Sequence, residues 1–429
     1  MLYERWREIA QARGAEIALR ELSRDRHWTF AELEAASKGA VEGPVSFPLD
    51  SSAEFIFTVL RAWRGGRVVC PLAAGQPPPP PFAHIPPGIV HLKTTSATTG
   101  SQRVVAFTGA QLAADADNIV RTMGLRPDWP NLGVISLAHS YGFSNLVTPL
   151  LLHGIPLVLL DSPLPEVVRR AAAELPQVTL PAVPALWRAW HEARAIPKNV
   201  RRAISAGAPL PLTLEQELFQ QSGIKLHNFY GSTECGGIAY DASETPRADA
   251  AQIGAPMRGV SLSVNEEGCL EVRGRAVGET YWPEPSLALS AGCFRTSDLA
   301  ELRDGQVFLH GRASDQINVA GRKLSPESVE RLLLAHPSVR DCLVLGVPGL
   351  DASRAELIVA CVVARHPVAE GTLKQFLLAQ LPSWQVPRHW WFVDSLAHNE
   401  RGKLSRSEWR ERYLEQRAGQ RPLPAGTGQ

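Results

Sequence analysis

The chain has 429 residues, and its 44 Lys and Arg against 43 Asp and Glu leave a net charge of +1. This balance argues against a protein that binds nucleic acid or an anionic membrane through a broad basic surface. With 45% hydrophobic residues, the chain is long enough to form two or three domains with sizeable cores.

The six cysteines are scattered, and no Cys-x-x-Cys pair or histidine cluster has the spacing of a zinc site. Reduced thiols are therefore expected. The N-terminus carries charges throughout and lacks the apolar core of a signal peptide. The most apolar stretch, Val147 to Leu160, is interrupted by Pro149, Gly154 and Pro156. Because this stretch is too short and broken to cross a bilayer, the sequence predicts a cytoplasmic protein without a membrane span.

The first elements are predicted to be helical with short strands between them. Residues 2–41 fit helix, strand and helix, residues 51–64 fit a helix, and Arg67 to Pro71 fit a short buried strand. The proline-rich stretch from Gly75 to Gly88 must be extended, since proline cannot donate a hydrogen bond to a helix or a central strand. We interpret it as a stiff connector rather than a ligand for a proline-binding domain.

Strands and helices then alternate along the chain. Short apolar runs predict strands, and longer amphipathic stretches predict helices at Leu164–Glu174 and Pro211–Ser222. The predicted strands are Ile89–Leu92, Leu132–Ser136, Pro156–Leu160, Gln177–Leu180, Arg202–Ser205 and Lys225–Phe229. Such alternation is typical of an α/β fold, a mostly parallel sheet with helices on its faces.

The pattern changes at about residue 255. Alternating segments with glycine turns predict antiparallel hairpins as far as residue 309. Beyond residue 313 the pattern is mixed again, with helices at Glu327–Ala335 and Thr372–Leu381 and strands at Cys342–Val347 and Glu356–Ala364. These features predict an N-terminal domain over residues 1–312, a smaller domain over 313–415, and a disordered tail over 416–429.

Two polar stretches follow predicted strands. The first, HLKTTSATTGSQR from His91 to Arg103, is rich in hydroxyl groups. Dense hydroxyls and backbone N–H groups suit phosphate oxygens, although an ordinary polar loop has the same composition. The second, NFYGSTECGG from Asn228 to Gly237, offers a ring to stack on a base, a hydroxyl for phosphate and a carboxylate for Mg²⁺.

The order of these and further motifs resembles the adenylate-forming superfamily of AMP-dependent synthetases and ligases. It includes acyl- and aryl-CoA synthetases, luciferases and the adenylation domains of peptide synthetases. The resemblance extends from about Trp28 to Arg406. Its motifs are WTFAELEAAS, LRAWRGGRVVCPL, the two polar stretches, LAHSYGFSN, SAGAPL, GCLEVRGRAVGETYW, FRTSDL, GRASDQINVAGRKLSPESVE and NERGKLSR. It implies layered α/β subdomains to about residue 254, a small distorted β-barrel over 255–312, and a mobile C-terminal α+β domain.

The resemblance implies a nucleotide site and its catalytic groups. Glu234 would bind Mg²⁺, Asp298 would accept hydrogen bonds from the ribose, and Lys403 would meet the α-phosphate and the substrate carboxylate. Thr233 and His139 complete the catalytic set. Residues implied to contact ATP or AMP are Thr95, Ser96, Thr98, Thr99, Gly100, Arg103, Gly207, Ala208, Pro209, Asn228, Tyr230, Gly231, Ser232, Thr233, Asp298, Arg312 and Lys403.

It also implies an acyl pocket, a thiol tunnel and a hinge. His139, Ser140 and Gly142 would line the acyl pocket. The thiol of coenzyme A, or of the phosphopantetheine on a carrier protein, would pass Gly321. Ser314 or its neighbour Asp315 would be the hinge of the mobile domain.

Other interpretations of single residues stay open. Asp298 could cap a turn, Lys403 could be a solvated surface lysine, and His139 could be a core histidine. Cys235, beside Glu234, is interpreted as a packing residue rather than a nucleophile. The phosphate stretch departs from the family pattern, with Ala97 in place of glycine, Gln102 in place of proline and Arg103 in place of lysine; arginine keeps the charge but as a planar fork.

The substrate is predicted to be a fatty or aryl acid without an amino group. No acidic residue lies between Asp128 and Asp161, whereas amino-acid-activating relatives place an aspartate in this pocket segment. Coenzyme A is the favoured acceptor and a carrier protein the alternative. A β-lactone-forming ligase, a luciferase-like oxygenase and a nucleotide-binding pseudoenzyme are further possibilities.

Overall fold

The computed structural model describes residues 1–40, 43–79, 85–95, 103–349, 356–396 and 404–419. The chain divides into two compact units. The first spans most of the chain to Leu309, and the second spans the chain from His310 onward together with Ser297–Leu299.

One long sheet runs through the first unit. Its middle strands are parallel, because each returns to the sheet through a helix. Antiparallel strands extend it on both sides. The order of paired strands is Val260–Val264, Cys269–Gly274, Cys293–Arg303, Gln306–Arg312, Gln252–Pro256, Gly236–Tyr240, Leu226–Ser232, Val200–Ser205, Val178–Ala182, Asn131–Gly133, Leu157–Leu159, Ile17–Glu21 and Arg26–Thr29, with Leu289–Ser290 beside Cys293–Arg303.

A second, smaller sheet holds the hairpin of the first polar stretch. Ile89–Thr94 pairs antiparallel with Val104–Thr108, and Thr280–Trp282 adds to the other side of the latter strand. The remaining strands are Val68–Val69 and Val45–Ser46. Residues 75–79 and 85–88 of the predicted proline-rich connector contain no helix or strand, and residues 80–84 lie outside the described part.

Helices cover the sheets of the first unit, and their starts follow local capping rules. The helix Gly109–Met123 begins after Thr108, whose hydroxyl and Gln111 form a capping box, and ends at Gly124 with φ of 63°. The other α-helices are Leu2–Ala12, Phe30–Ala36, Ala53–Arg64, Ser140–Gly142, Thr148–His153, Pro165–Ala173, Pro184–Glu192 and Leu212–Ser222; Phe143–Val147 is π-helical and Leu22–Arg24 is a 3₁₀ turn. The helices Gly109–Met123 and Pro184–Glu192 have no counterpart in the predictions.

The second unit has its own sheet and core. Val339–Pro348 pairs antiparallel with Glu356–Ala364, which pairs parallel with His389–Phe392. A short hairpin joins Ile317–Val319 to Arg322–Leu324. The helices are Pro326–Ala335, Glu370–Leu378 and Arg406–Gly419, with 3₁₀ turns at Ala313–Asp315 and Ser383–Gln385.

The predicted start of the tail at residue 416 was wrong. The last helix continues to Gly419, and residues 420–429 lie outside the described part. Its buried side chains, Trp409 and Tyr413, pack with Leu345 and Val359 in the core of the second unit, so the helix is held by tertiary contacts that tail composition does not reveal.

A buried ionic cluster links the helix Leu212–Ser222 to the loop between the strands Gly236–Tyr240 and Gln252–Pro256. The Glu215 carboxylate, fully buried, accepts hydrogen bonds from Lys225 Nζ and, at 2.8 Å, from Arg247 Nε. Lys225 Nζ also donates to Asp241 Oδ2 at 2.6 Å. Arg247 donates to the Leu210 carbonyl at 3.0 Å. Two cations and two carboxylates balance, so removal of a single member leaves an uncompensated buried charge.

Replacement of Glu215 by Gln should lower the free energy of unfolding by about 3–5 kcal/mol, because it leaves a buried positive charge uncompensated. The matched control is Glu166→Gln, which breaks an exposed ion pair with Arg169 and should change the unfolding free energy very little. Denaturant titration of both variants measures the difference. If both substitutions changed the unfolding free energy by the same small amount, burial would not be what makes the Glu215 ion pairs important.

Candidate functional site

The parallel pairing of three neighbouring strands ends at one level of the sheet. Ala182 is in register with Ser205, and Ser205 is in register with Asn228. In parallel α/β sheets the crevice beyond such carboxyl ends is where ligands bind. The segments that follow Ser205 and Asn228 include the predicted adenine turn and the second polar stretch, so the structure brings both to one sheet edge.

The predicted adenine turn leaves the sheet directly after Ser205. Gly207 has φ of 88°, a left-handed conformation that favours glycine. Gly207 and Pro209 are exposed and Ala208 is half-buried, whereas Leu210 is buried. Small side chains therefore face solvent at the sheet edge, while Leu210 and its carbonyl bond to Arg247 anchor the end of the turn.

The second polar stretch is a β-hairpin rather than a loop. The strand Leu226–Ser232 continues through Tyr230 and Gly231 and pairs with Gly236–Tyr240. The strands approach closely, since a Cβ on Gly231 would lie 2.6 Å from the Gly236 carbonyl oxygen. Only residues 233–235 remain as the turn. Asn228 is buried, while Tyr230, Ser232 and Thr233 are half-buried.

Glu234 is held at the tip of this hairpin by three hydrogen bonds. Its Oε1 accepts from the Tyr281 hydroxyl at 3.0 Å, its carbonyl accepts from Gly278 N–H at 2.8 Å, and its N–H donates to Ser232 Oγ at 3.2 Å. Its Oε2 has no hydrogen-bond partner among the described residues. Burial, and then the Glu234 charge, raise the pKa of Tyr281, so the phenol stays protonated and donates. The carboxylate is thus held through one of its two oxygens.

Tyr281 also contacts the neck of the first polar stretch. It lies on the strand Thr280–Trp282, opposite Val105. The Arg103 guanidinium lies 5.2 Å from the centre of the Tyr281 ring. The sequence analysis did not predict a role for Tyr281. The available signal was its place as the tyrosine of the motif GCLEVRGRAVGETYW. Arg103, Tyr281 and Glu234 therefore form one continuous row.

The first polar stretch begins inside the strand Ile89–Thr94, and its last residue, Arg103, directly precedes the strand Val104–Thr108. At its neck, Thr95 N–H donates to the Arg103 carbonyl at 2.8 Å, and Arg103 N–H donates to Thr95 Oγ1 at 3.2 Å. The predicted phosphate-binding residues Ser96, Thr98, Thr99 and Gly100 lie outside the described residues, as do Ala97 and Gln102.

The predicted acyl segment starts a helix beside the same sheet edge. His139 and Ser140 are half-buried at its first turn. The Tyr141 hydroxyl donates to the Ile204 carbonyl at 3.3 Å, in the strand that leads to the adenine turn. Gly142 is buried, and a Cβ there would lie 2.0 Å from the Ser136 carbonyl oxygen. Close backbone approach therefore explains Gly142, and Tyr141 ties this segment to the sheet.

Cys235 lies in the turn after Glu234 but is buried. Burial raises the pKa of its thiol well above the ordinary value, and its Sγ is 3.2 Å from Ser232 Oγ. A protonated, inaccessible thiol is a poor nucleophile, which supports the prediction that Cys235 packs. All six cysteines are buried thiols without disulfides.

Asp298 and Arg312 are paired with each other. Arg312 Nε donates to Asp298 Oδ1 at 2.9 Å, and the Asp298 side chain is 16% exposed. Asp298 lies within the strand Cys293–Arg303 and not in a turn, which removes the turn-cap alternative.

The predicted hinge adjoins an ionic cluster in the second unit. Asp315 Oδ2 accepts a hydrogen bond from Arg406 at 3.1 Å, and the guanidinium also reaches Glu330 at 2.8 Å and Glu327 at 2.9 Å. Ser314 Oγ donates to Asp315 Oδ1 at 3.0 Å and is exposed. Sequence reasoning missed Arg406, whose signal was its place three residues after Lys403.

Gly321 and Lys403 complete the predicted set. Gly321 lies at the exposed turn between Ile317–Val319 and Arg322–Leu324, with φ of 84°, and its N–H donates to Asn318 Oδ1 at 2.9 Å. The turn requires a left-handed residue, and nothing lies within 4 Å of a Cβ built there. Lys403 lies outside the described residues.

Two further features were sought in the described residues: clusters of metal-binding side chains and membrane-spanning helices. In the described ranges, no group of three or more His, Cys, Asp or Glu side chains could hold a metal ion. A Mg²⁺ bound mainly by nucleotide phosphates needs only one or two protein carboxylates, and the fixed, half-buried Glu234 fits that requirement. None of the helices described is both long and apolar enough for a bilayer crossing.

Comparison with known sequences identifies the family. The profile described as "AMP-binding enzyme" matches residues 73–289, and "AMP-binding enzyme C-terminal domain" matches residues 328–403. The chain is 30% identical to a 2-succinylbenzoate–CoA ligase of Bacillus licheniformis over 328 residues, covering 73% of this chain and 68% of the relative. It is 28% identical to a mitochondrial malonate–CoA ligase of Mus musculus over 382 residues, 77% of this chain. It spans 65% of that ligase, less than two thirds of its length.

Solved structures share the fold. An o-succinylbenzoate-CoA synthetase from Bacillus subtilis, in complex with its acyl-adenylate intermediate, superposes with a TM-score of 0.81 at 23% identity, covering 94% of this chain and 97% of that one. An ATP-bound MatB from Rhodopseudomonas palustris gives 0.83 at 21% identity, covering 96% and 99%. The predicted α/β fold, with a large N-terminal sheet domain and a smaller C-terminal one, is confirmed, and the chain belongs to the AMP-binding enzyme family of adenylate-forming enzymes.

Proposed function

We propose that the protein activates a fatty or aryl carboxylic acid with ATP and transfers the acyl group to coenzyme A. The observation that carries the proposal is the shared sheet edge, where the adenine turn, the Glu234 hairpin and the acyl segment come together. In the first half-reaction a carboxylate oxygen attacks the α-phosphorus and the bond to pyrophosphate breaks. In the second the thiol sulfur attacks the acyl carbon, AMP leaves and the thiol proton is released.

The nucleotide is proposed to lie along this edge. Adenine would rest between the small residues of the turn 207–209 and the Tyr230 ring, near the buried Asn228. The Thr233 hydroxyl would reach the α-phosphate. The β- and γ-phosphates would lie at the hairpin loop, bound by Thr95, Ser96, Thr98, Thr99, Gly100 and Arg103. Hydroxyl and N–H donors suit phosphate oxygens because they stabilise charge without a large desolvation of their own.

Mg²⁺ is proposed to bind Glu234 together with phosphate oxygens. A bound Mg²⁺ neutralises charge on the phosphates and orients them for displacement. Glu234 Oε1 is held by Tyr281, and Oε2 would face the ion. Arg103, over the Tyr281 ring, would carry its positive charge toward the same phosphates.

Ribose and catalytic cation are assigned to the second part of the chain. Asp298 would accept hydrogen bonds from the ribose hydroxyls, and Arg312, already bonded to it, would orient the carboxylate and approach the nucleotide. Lys403 would stabilise negative charge at the α-phosphorus, an effect worth about 3–4 kcal/mol for a preorganised contact.

The acyl pocket is proposed around His139, Ser140 and Gly142. One acidic group that contacts the end of this segment is Asp115, which accepts a hydrogen bond from Ser144 at 2.6 Å. That carboxylate also accepts from Gly237 N–H and lies 3.9 Å from Lys93 Nζ. Its charge is therefore matched inside the protein, which supports an acid without an α-ammonium group.

The second unit is proposed to move between the half-reactions. Because Arg406 holds Asp315 within this unit, Ser314 is the proposed pivot. Gly321 would let the pantetheine arm pass its bare turn. Coenzyme A as acceptor is supported by the two CoA-ligase relatives. A cytoplasmic location is proposed because all six cysteines are reduced and buried.

Pyrophosphate release with matched acids tests the proposed function. Octanoate should be preferred to 2-aminooctanoate, and 3-phenylpropionate to phenylalanine, by at least about a hundredfold. An unpaired ammonium in a buried pocket costs several kcal/mol, and about 2.7 kcal/mol already gives that ratio. Adding coenzyme A should yield the acyl-CoA. Preference for the amino acid of either pair would overturn the proposal. Failure of every acid tested to cause pyrophosphate release would also overturn it.

Replacement of Tyr281 by Phe should lower the apparent affinity for Mg²⁺, because Glu234 loses the hydrogen bond that holds its carboxylate. Loss of a hydrogen bond to a charged carboxylate is worth about 1.5–3 kcal/mol, so the Mg²⁺ concentration for half-maximal pyrophosphate release should rise roughly tenfold or more. The matched control is Tyr3→Phe, which removes another tyrosine–glutamate bond, 2.7 Å to Glu34, and should leave the Mg²⁺ titration unchanged. Identical titrations for both variants would contradict the role of Tyr281.

A further inference from the structure

A charged side chain is buried beneath the candidate site. Lys93 lies on the strand Ile89–Thr94, which forms a hairpin with Val104–Thr108 that we call the phosphate-loop hairpin. Lys93 is two residues before Thr95 at the neck of this hairpin, and its side chain is only 4% exposed. An ammonium group loses much hydration free energy on burial and is retained only where specific partners offset that loss. Its partners therefore indicate what the charge does.

Lys93 joins a chain of hydrogen bonds to two other elements. Its Nζ donates to Ser144 Oγ at 3.1 Å, and Ser144 Oγ donates to Asp115 Oδ2 at 2.6 Å. Nζ lies 3.9 Å from the same carboxylate oxygen and 4.8 Å from the centre of the Phe107 ring. The Asp115 side chain is 5% exposed. The ammonium and the carboxylate compensate each other in the interior.

The other oxygen of Asp115 reaches the Glu234 hairpin. Oδ1 accepts from Gly237 N–H at 3.1 Å. The preceding Gly236 has φ of 68°, and a Cβ there would lie 2.0 Å from Asp115 Oδ1. No side chain separates the hairpin from this carboxylate. The backbone of Gly236, two residues after Glu234, therefore packs directly against the Asp115 carboxylate.

We propose that Lys93, Ser144 and Asp115, together the buried triad, form a positioning device for Mg·ATP. The triad joins the phosphate-loop hairpin through Lys93, the acyl segment through Ser144 and the Glu234 hairpin through Asp115. Its task is to set Glu234 at the correct place relative to the strands of the phosphate-loop hairpin, Ile89–Thr94 and Val104–Thr108. The inference rests on the proposed function, because it takes Glu234 as the Mg²⁺ ligand.

A stabilising role and a positioning role of the triad predict different effects of substitution. Replacing both members of a buried ion pair by neutral groups is often neutral or stabilising, whereas removing one member is strongly destabilising. Groups behind a metal ligand, by contrast, commonly change metal affinity 10- to 100-fold when altered. Stability and Mg²⁺-dependent binding should therefore separate in a charge-balanced double variant.

The test compares Lys93→Met, Asp115→Asn and the double variant K93M/D115N. Each is assayed for free energy of unfolding and for ATP affinity with and without Mg²⁺ by calorimetry. In K93M/D115N, the asparagine can still accept a hydrogen bond from Gly237 and donate one to Ser144. The phosphate-loop hairpin, however, loses the hydrogen bond from Lys93 to Ser144. Stability should return to near the wild-type value, while the gain in ATP affinity from Mg²⁺ falls roughly tenfold or more.

Two controls isolate the effect. AMP, which lacks the β- and γ-phosphates, should bind the double variant as it binds the wild type. The matched pair K225M/D241N neutralises a lysine and an aspartate of equal burial, 4% and 5% exposed, that contact neither the phosphate-loop hairpin nor Glu234 in the described part of the chain. It should leave the Mg²⁺ dependence of ATP affinity unchanged.

The outcomes separate the inference from the proposed function. The positioning role would be overturned if folded K93M/D115N kept the wild-type Mg²⁺ dependence of ATP affinity. It would also be overturned if the ATP affinity of the wild type did not depend on Mg²⁺. A loss of Mg²⁺ dependence that merely parallels the loss of stability in all three variants would also overturn it. If the Mg²⁺ dependence falls as expected but no acid releases pyrophosphate, the positioning role stands and the proposed function fails.

Discussion

The alignment of three parallel strand ends is the constraint on which the candidate site depends. Ala182, Ser205 and Asn228 share one register, at which the parallel pairing stops. The chain leaves the sheet after Ala182 and Ser205, and it continues from Asn228 into the Glu234 hairpin. Glycine can occupy these segments without filling the crevice, as at Gly207 in the adenine turn and Gly231 in the hairpin strand. The sheet therefore supplies the place, and short segments outside it supply the chemistry.

Buried charges lie behind these segments. Glu215 and Arg247 anchor the carbonyl of Leu210 behind the adenine turn. Asp115 holds the Glu234 hairpin and the acyl segment, and Arg406 holds Asp315 at the predicted hinge. In each cluster cation and carboxylate are largely shielded from water, so each bond is directional and loss of one partner is severe. The nearly neutral overall charge thus coexists with strong internal electrostatics.

Much of the fold followed from local pattern. The short apolar runs from Leu132 to Phe229 became strands because residues buried on both faces of a parallel sheet need continuous hydrophobicity. The strand Glu356–Ala364 was predicted with the bounds that the structure has. The extension of the strand through Tyr230 and Gly231 was not predicted, because glycine and serine suggest a turn unless a partner strand approaches closely.

The supporting residues could not be found in this way. Tyr281 is 47 residues from Glu234, Arg406 is 91 from Asp315, and Gly237 is 122 from Asp115. Periodicity describes neighbours along the chain and carries no signal for such pairs. The motifs identified the chemical groups, whereas their orientation depends on tertiary contacts that only the coordinates reveal.

Transfer of oxygen from the acid to AMP tests the central claim most directly. With an acid whose two carboxylate oxygens are ¹⁸O, attack on the α-phosphorus places one labelled oxygen between acyl group and phosphate. Mass spectrometry of the AMP formed after thiol transfer should therefore show one ¹⁸O atom per molecule, and the pyrophosphate none. Unlabelled AMP, or label in inorganic phosphate accompanied by ADP, would contradict an acyl-adenylate mechanism.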